Sequence, residues 1–189
     1  MKLVKLTGRS TGLAKEIITT FGEWGFDVRG YGVGDIDLEN TQSVVELMRD
    51  ADVFINNANY KFTQTEILYE LFKVWKDDPN KHIINISSRA AQPNISKGYL
   101  YAAQKAALEH LANNLVYNSD KKCRISTIAL GLLNGVEHST PYSSVVTEIA
   151  KIIDSPLNCE TVHITLQHSE NYQVIQALKA ARLKNGNKK

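Results

Sequence analysis

The sequence predicts an α/β fold in which one doubly wound parallel sheet is covered by helices on both faces. Short apolar runs alternate with amphipathic segments along the chain, as in strand–helix–strand units. Several of these runs are apolar at almost every position, which is typical of strands covered on both faces. Because no repeat or linker interrupts the 189 residues, we expect one domain over 1–184 and a flexible tail at 185–189.

The first half of the chain contains three predicted strands and three predicted helices. Leu3–Thr7 is an apolar run that ends at a glycine, and Leu13–Trp24 then places apolar residues at helical spacing. Gly22 and Gly25 mark the end of that helix. The next predicted elements are the strand Phe26–Tyr31, the helix Thr41–Arg49, the strand Ala51–Asn56 and the helix Phe62–Trp75.

The second half continues the alternation after an Asp-Asp-Pro-Asn stop at 77–80. Its longest helix is rich in Ala and Leu, and Pro141 stands near the start of another, where proline is tolerated. The predicted elements are the strand His82–Ser87, the helix Tyr99–Val116, the strand Cys123–Leu130, the helix Pro141–Ile153, the strand Thr161–Leu166 and the helix Glu170–Leu183.

Composition argues against several kinds of partner. The 22 basic and 20 acidic residues leave a formal charge of +2, so we expect no nucleic acid and no membrane surface as a partner. The N-terminal apolar run is too short for a signal sequence or a membrane span, so we expect a cytoplasmic protein. Cys123 and Cys159 lack metal-ligand spacing and are expected to be reduced, buried thiols.

A glycine-containing turn, TGRSTGLA at 7–14, joins the first strand to the first helix. Such a turn points backbone N–H groups and the positive end of a helix dipole at an anion. Gly8 would permit the tight turn, Gly12 would let a pyrophosphate approach the backbone, and Ala14 would let the helix pack on the strand. The alternative is a simple strand–helix turn without a ligand.

Tyr101 and Lys105 stand four residues apart on a predicted helix, so the phenol and the ammonium can face one cleft. A free tyrosine has a pKa of about 10 and exchanges protons poorly at neutral pH. A neighbouring cation lowers that pKa, which is what a general acid–base requires. The alternative is a helical Tyr–Lys pair without a function.

Ser88 follows the strand His82–Ser87 and stands thirteen residues before Tyr101. Ligands of open parallel sheets bind beyond the carboxyl ends of the strands, so a hydroxyl there would orient a substrate carbonyl. A serine that caps its own backbone is the alternative, which we expect instead for Ser87 or Ser96.

Together these motifs resemble the short-chain dehydrogenase/reductase family, from Leu3 to about Gln167. TGRSTGLA resembles TGxxxGxG, NNAN at 56–59 resembles NNAG, and IINISS resembles the strand that delivers the catalytic serine. YAAQKAAL at 101–108 resembles YxxxK with its helix, and RISTIALG at 124–131 resembles the strand that ends in Pro-Gly. Asp37-Leu38 resembles the acidic–apolar pair at the adenine. The resemblance implies an unusually short, Rossmann-like oxidoreductase.

The resemblance also implies a role for each motif. Tyr101 would be the proton donor or acceptor for a carbonyl–alcohol couple. Lys105 would lower the pKa of Tyr101 and bind the nicotinamide ribose, while Ser88 would hold the substrate oxygen. The residues implied at the cofactor, besides Tyr101 and Lys105, are Gly8, Arg9, Ser10, Thr11, Gly12, Leu13, Asp37, Leu38, Asn57, Ala58 and Gly131.

The chain departs from the family pattern at four places. Ala14 and Asn59 replace glycines, and we expect Asn59 to tolerate a left-handed backbone. Gly131 lacks a preceding proline. The segment Phe62–Trp75 contains no asparagine, a residue that family members often use in a proton relay.

The chain is also short around the expected site. There is no room between Tyr31 and Asp37 for a further helix and strand, nor between Gly131 and Pro141 for a large lid. We therefore expect an open, shallow substrate site for a small carbonyl or alcohol. The polar residues expected to line it are Gln92, Asn94, Asn134, Glu137 and His138.

The choice between NADP and NAD rests on the end of the second strand. An acidic residue there would bind the ribose 2′-OH of NAD, but Gly32 occupies that place and Asp35 stands slightly beyond it. Arg9 would meet a 2′-phosphate through charge-assisted hydrogen bonds, which favours NADP. A solvated surface cation is the alternative for Arg9.

Three functions are consistent with these residues. The first is a carbonyl reductase or alcohol dehydrogenase, the second a dinucleotide-binding regulator without redox turnover, and the third a partner-binding scaffold with an empty cleft. The resemblance further implies a homodimer or homotetramer that pairs through 62–75 and 99–116. Unpaired, Phe72, Trp75 and Leu111 would form an exposed apolar patch, unless they pack within the monomer.

Overall fold

The computed structural model describes residues 2–93, 98–134, 139–155 and 161–164. Its centre is a six-stranded parallel sheet with the strand order β2-β1-β3-β4-β5-β6. The strands are β1 (Leu3–Thr7), β2 (Asp27–Tyr31), β3 (Val53–Asn56), β4 (His82–Ser88), β5 (Arg124–Leu130) and β6 (Thr161–Ile164). The predicted parallel sheet is confirmed.

The helices of the described ranges agree with the predicted ones to within one residue at each end. They are α1 (Gly12–Glu23), α2 (Thr41–Met48), α3 (Thr63–Trp75), α4 (Tyr99–Tyr117) and α5 (Tyr142–Asp154), with a 3-10 turn at Arg89–Ala91. In these ranges no helix has the length and apolar character needed to cross a membrane. The predicted helix Glu170–Leu183, the tail 185–189 and Cys159 lie outside the described residues.

The sheet is packed on both faces because successive residues of a strand point to opposite sides. Ile55 and Ile84 lie in the core on the side of α1 and α5. Their neighbours Phe54 and Ile83 lie in the core beneath α2, α3 and α4. All four side chains are fully buried, which explains why the sequence of these strands is apolar at almost every position.

The connection from β2 to α2 is the shortened part of the chain. β2 ends at Tyr31 and α2 begins at Thr41, with turns and an isolated bridge between Val33 and Ile36 in the connection. No further helix or strand fits there, as expected. Since β2 and β3 flank β1, the direction of winding reverses between β1 and β3, where ligands of doubly wound sheets usually bind.

Phe72 and Trp75 face the interior of the monomer. They are 7% and 1% exposed, and the Trp75 indole N–H donates to Arg49 O at 3.1 Å. Leu111 is partly buried against the same core. The expected exposed apolar patch is therefore wrong for Phe72 and Trp75, because α3 packs this face against α2 and the sheet.

Cys123 is a free, buried thiol just before β5, as expected. Its burial raises the pKa of the thiol to about 11. Because the thiolate is the reactive form, Cys123 is a poor nucleophile at neutral pH and acts as a small core residue.

His82 is a buried ionisable residue at the start of β4, with Nε2 at 2.9 Å from Ser126 Oγ. Burial lowers its pKa to about 3, and the positive charges of Arg124, Lys2 and Lys121 act in the same direction. In the unfolded chain this residue binds a proton near its ordinary pKa of 6.5. As the pH falls below 6.5, protonation of this residue stabilises the unfolded chain, so the free energy of unfolding decreases.

We expect His82 alone to lower the free energy of unfolding by about 1.5 kcal/mol between pH 6.5 and pH 5. Urea unfolding at the two pH values measures this change. The variant His82→Gln keeps a polar side chain but does not titrate, so its unfolding free energy should vary less over that interval. An equal pH dependence in the two proteins would contradict the assignment.

Candidate functional site

The ends of four parallel strands meet at one edge of the sheet. β1, β3, β4 and β5 end at Thr7, Asn56, Ser88 and Leu130, so the loops that follow them lie on the same edge. Most of the predicted site residues follow or end these strands. This is the edge at which doubly wound sheets bind ligands.

Gly8 makes the turn after β1 possible. Its φ is +98°, a left-handed conformation that favours glycine, and its N–H donates to Tyr31 O at 2.6 Å. A Cβ at this position would lie 2.9 Å from Asn57 Nδ2 and 3.2 Å from Ala14 Cβ. The small Ala14 thus fits where α1 approaches the turn, as the sequence predicts.

The N-terminus of α1 presents backbone donors beside this turn. The side chain of its N-cap residue, Thr11, makes no capping hydrogen bond, which leaves first-turn N–H groups able to bind an anion. Gly12 has a φ of +55°, and a Cβ there would lie 3.4 Å from Tyr142 Oη. Gly8, Gly12 and the first turn of α1 thus form an open surface, here called the glycine cradle, which a side chain at Gly12 would narrow. Ser10 is exposed at the turn, whereas the side chain of Leu13 is buried in the core, so only its backbone can meet a ligand.

The loop after β3 is tied directly to this cradle. Thr7 Oγ1 accepts hydrogen bonds from Asn57 N at 3.0 Å and Ala58 N at 2.9 Å, while Asn57 Nδ2 donates to Thr7 O at 3.0 Å. The predicted residues Asn57 and Ala58 therefore lie against the glycine turn and hold its shape.

Asn59 does not adopt the left-handed backbone that we expected. The non-glycine residue with positive φ in the described chain is Lys61, at +47°. The Asn59 amide Nδ2 instead donates to Gln104 Oε1 at 3.4 Å, which links this loop to α4. Because the backbone at 59 is not left-handed, no glycine is needed there.

Arg9 is paired with an acid rather than simply solvated. Its guanidinium lies 3.1 Å from the Asp35 carboxylate, which also accepts from Gly32 N at 2.8 Å. A Cβ on Gly32 would lie 3.5 Å from Arg9 Cβ. The Arg9 guanidinium and the Asp35 carboxylate therefore meet just after β2, at the residues expected to distinguish NADP from NAD.

The remaining predicted cofactor residues lie in turns after β2 and β5. Asp37 is exposed, and its Oδ1 accepts from Glu39 N at 2.9 Å. Leu38 packs against the core on the α2 side. Gly131 N donates to Ile164 O at 3.0 Å, which joins the end of β5 to β6.

Tyr101 and Lys105 come together on α4 as predicted, with Lys105 Nζ at 5.6 Å from the centroid of the Tyr101 ring. Tyr101 is 39% exposed and Lys105 only 3%, so the phenol is accessible while the ammonium lies beneath it. Burial lowers the pKa of the Lys105 ammonium to about 8, and the Glu109 carboxylate partly opposes this effect.

Gln64 is a site residue that sequence reasoning missed. Lys105 Nζ donates to Gln64 Oε1 at 2.6 Å and to Ile86 O at 2.8 Å. Gln64 is the second residue of α3 and is buried. In the sequence it begins the apolar stripe that continues with Ile67 and Leu68, so a polar residue on a core-facing helical stripe could have indicated it.

The two serines at the end of β4 differ from the expectation. Ser88 Oγ accepts a hydrogen bond from Ala90 N at 3.1 Å and caps the 3-10 turn. Ser87 is buried, and its Oγ donates to Glu109 Oε1 at 2.6 Å. The backbone cap expected for Ser87 is thus made by Ser88, because Ser87 points toward α4. The Ser88 hydroxyl keeps its own proton for donation to a ligand.

The described ends of the segment after β5 are hydrogen-bonded to each other. Thr140 N donates to Leu132 O at 2.8 Å, and Asn134 Oδ1 accepts from Tyr142 N at 3.2 Å. The absence of a large lid stays a prediction, because 135–138 lie outside the described residues. Gln92 lies beside α4 in a surface groove of about 530 Å³. Asn94, Ser96, Glu137 and His138 lie outside the described residues.

No protein-family model matches the chain, and no curated protein matches it by sequence. Solved structures do match it. Serine dehydrogenase from Escherichia coli is 18% identical over 86% of this chain and 96% of that chain, with a TM-score of 0.69. A short-chain dehydrogenase/reductase from Vibrio parahaemolyticus is 17% identical over 87% and 100% of the two chains, with a TM-score of 0.70.

A third match is the 3-alpha-hydroxysteroid dehydrogenase of a Pseudomonas species, solved with NADH. It is 17% identical, 91% of this chain and 98% of that chain are covered, and the TM-score is 0.70. These identities are low, so the agreement concerns the path of the chain. The protein has the fold of the short-chain dehydrogenases/reductases.

Proposed function

We propose that the protein binds NADP(H) or NAD(H) and moves hydride between the nicotinamide and a small carbonyl or alcohol. The observation that carries this proposal is the accessible Tyr101 phenol above the buried Lys105 ammonium, 5.6 Å from ring centroid to nitrogen. This pair stands at the carboxyl edge of the sheet that also bears the glycine cradle.

The residues present fit a dinucleotide. Gly8 and Gly12 leave room that a Cβ would occupy, and the uncapped N-terminus of α1 suits a pyrophosphate. Two proteins with this fold were solved with NADP+ and with NADH. Here the residues that would hold the cofactor are Gly8, Arg9, Ser10, Thr11, Gly12, Leu13, Asp37, Leu38, Asn57, Ala58, Tyr101, Lys105 and Gly131.

The nicotinamide would supply or accept the hydride. During carbonyl reduction, Tyr101 Oη gives its proton to the substrate oxygen, and during alcohol oxidation it takes that proton back. The Lys105 ammonium places a positive charge beside Tyr101, with Nζ 5.6 Å from the centroid of the ring. Ser88 Oγ donates a hydrogen bond to the same substrate oxygen and orients it.

Lys105 also has a role in binding. An ammonium has three N–H donors, of which two are used by Gln64 Oε1 and Ile86 O. The third would be available to a ribose hydroxyl of the cofactor. The protonated form supplies all three donors, so cofactor binding weakens as the pH rises through about 8, the pKa of Lys105.

A dinucleotide-binding regulator without turnover is the second candidate. It is favoured by the capping role of Ser88, whose Oγ is partly engaged by Ala90 N. Titration of the protein with NADPH and NADH, followed by cofactor fluorescence, tests binding in both candidates. A screen of cofactor oxidation over diverse carbonyls then separates them. Failure to bind either dinucleotide would refute both.

Arg9 and Asp35 provide a test of cofactor choice. Replacing Arg9 by Ala removes the cation expected to meet the 2′-phosphate, so NADPH affinity should fall about tenfold, with little change for NADH. Asp35→Asn, which removes the competing carboxylate, should tighten NADPH binding. The dissociation constants of both cofactors measure this, and equal losses for NADPH and NADH in Arg9→Ala would remove the preference for NADP.

A further inference from the structure

The side chain of Gln64 connects three elements under the site. Its Oε1 accepts from Lys105 Nζ on α4 at 2.6 Å, while its Nε2 donates to Asn56 O on β3 at 2.7 Å and to Ile86 O on β4 at 3.3 Å. Both Gln64 and Lys105 are buried, so these bonds form away from water. Hydrogen bonds in such surroundings are strong, and a buried polar group that lacks a hydrogen-bond partner destabilises the fold.

The orientation of the Gln64 amide follows from its partners. Carbonyl oxygens accept and do not donate, so the NH2 group must face Asn56 O and Ile86 O, and the oxygen must face Lys105. Asn56 Nδ2 also donates to Gln64 O at 2.8 Å and fixes the backbone of the same residue. The acceptor for Lys105 is therefore oriented before any ligand binds.

We propose that Gln64 is a positioning residue that fixes the Lys105 side chain beneath Tyr101 and favours its charged form. The amide oxygen accepts one N–H of the ammonium, Ile86 O accepts a second, and the third is left for a ligand. Glu109 is the carboxylate whose charge acts on Lys105, and Tyr101 is the phenol beside it. The catalytic meaning of this arrangement rests on the proposed function, but the arrangement itself does not.

Two substitutions of similar size test this proposal, because they should shift the pKa of Lys105 in opposite directions. Gln64→Glu places a carboxylate beside the ammonium and should raise the pKa of Lys105 by about one unit or more. Gln64→Leu removes the acceptor and should lower that pKa by a similar amount. The pKa is measured without cofactor by NMR titration of 13C-labelled lysine, with Lys105→Met identifying the resonance.

Gln104→Leu is the matched control, because Gln104 is also buried and its amide oxygen accepts from Asn59, whereas the Lys105 ammonium donates to Gln64 and Ile86. It should leave the pKa of Lys105 unchanged. The proposal is overturned if Lys105 titrates alike in wild type, Gln64→Glu and Gln64→Leu, or if Gln104→Leu shifts it equally. Should Gln64→Leu not fold, Gln64→Glu still tests the proposal, because an unchanged pKa of Lys105 in that variant would overturn it.

The affinity for NADPH as a function of pH gives the second readout. The alkaline loss of affinity should move to higher pH in Gln64→Glu and to lower pH in Gln64→Leu. A merely structural role would weaken binding in both variants without moving this transition, and that result would overturn the proposal. If the NMR shifts appear but no dinucleotide binds, Gln64 keeps its positioning role and the proposed function fails.

Discussion

Replacing Tyr101 by Phe is expected to lower turnover of a carbonyl substrate by a factor of about 10² to 10⁴. The change removes one hydroxyl and leaves the ring beside Lys105, so the fold and the cofactor cradle should be preserved. Affinity for NADPH should therefore change little. We expect kcat to decrease, because the proton is transferred to the substrate oxygen only when hydride reaches the substrate carbon.

Tyr99→Phe is the matched control for this experiment. Tyr99 belongs to the same turn of α4 and is 78% exposed, but it stands two residues away and so points to another side of the helix. Its variant should turn over substrate like the wild type. Unchanged turnover in Tyr101→Phe would refute the proposed mechanism, whatever the cofactor affinity.

Gly8→Ala is expected to lower the free energy of unfolding by about 2–3 kcal/mol. The left-handed φ accounts for about 1–2 kcal/mol of this, and disturbance of the Asn57–Thr7 hydrogen bond for about 1 kcal/mol. Because the new methyl group pushes against Asn57 Nδ2, the cradle also changes shape, and NADPH affinity should fall at least about tenfold.

Urea unfolding and cofactor titration measure the two effects of Gly8→Ala. Gly22→Ala is the control: a Cβ there meets nothing within 4 Å, and the residue lies in α1. It should raise the stability by up to about 1 kcal/mol and leave NADPH affinity unchanged. If Gly8→Ala binds NADPH as tightly as Gly22→Ala, the turn at Gly8 is not the cofactor site.

The elements of the fold could be predicted because their patterns are local. The spacing of Leu13, Ile17 and Phe21 determines one face of α1 over a few turns, and the apolar residues of β4 need both faces covered wherever that strand lies. The burial of Phe72 and Trp75 could not be predicted, since the stripe on α3 does not say whether α2 or a second copy covers it.

The candidate site was predictable to the same extent. Tyr101 and Lys105 are close because a helix brings positions four apart to one face. The contacts that define their surroundings join residues distant in sequence: Gln64 lies 41 residues from Lys105, and Asp35 lies 26 from Arg9. The capping bond of Ser88 was missed for a different reason, since two adjacent serines offer the same chemistry until the direction of β4 is known.

The doubly wound sheet, the glycine turn and the Tyr101–Lys105 pair follow from local sequence patterns, because periodicity, backbone freedom and helical spacing operate within a few residues. The contacts that hold that pair depend instead on how distant segments pack together. Strand order brings α3 beside α4, so that Gln64 and Ile86 take two donors of Lys105, and exclusion of water lowers the pKa of that ammonium to about 8. Burial is a property of the whole packed chain, and the chemistry of the site depends on it.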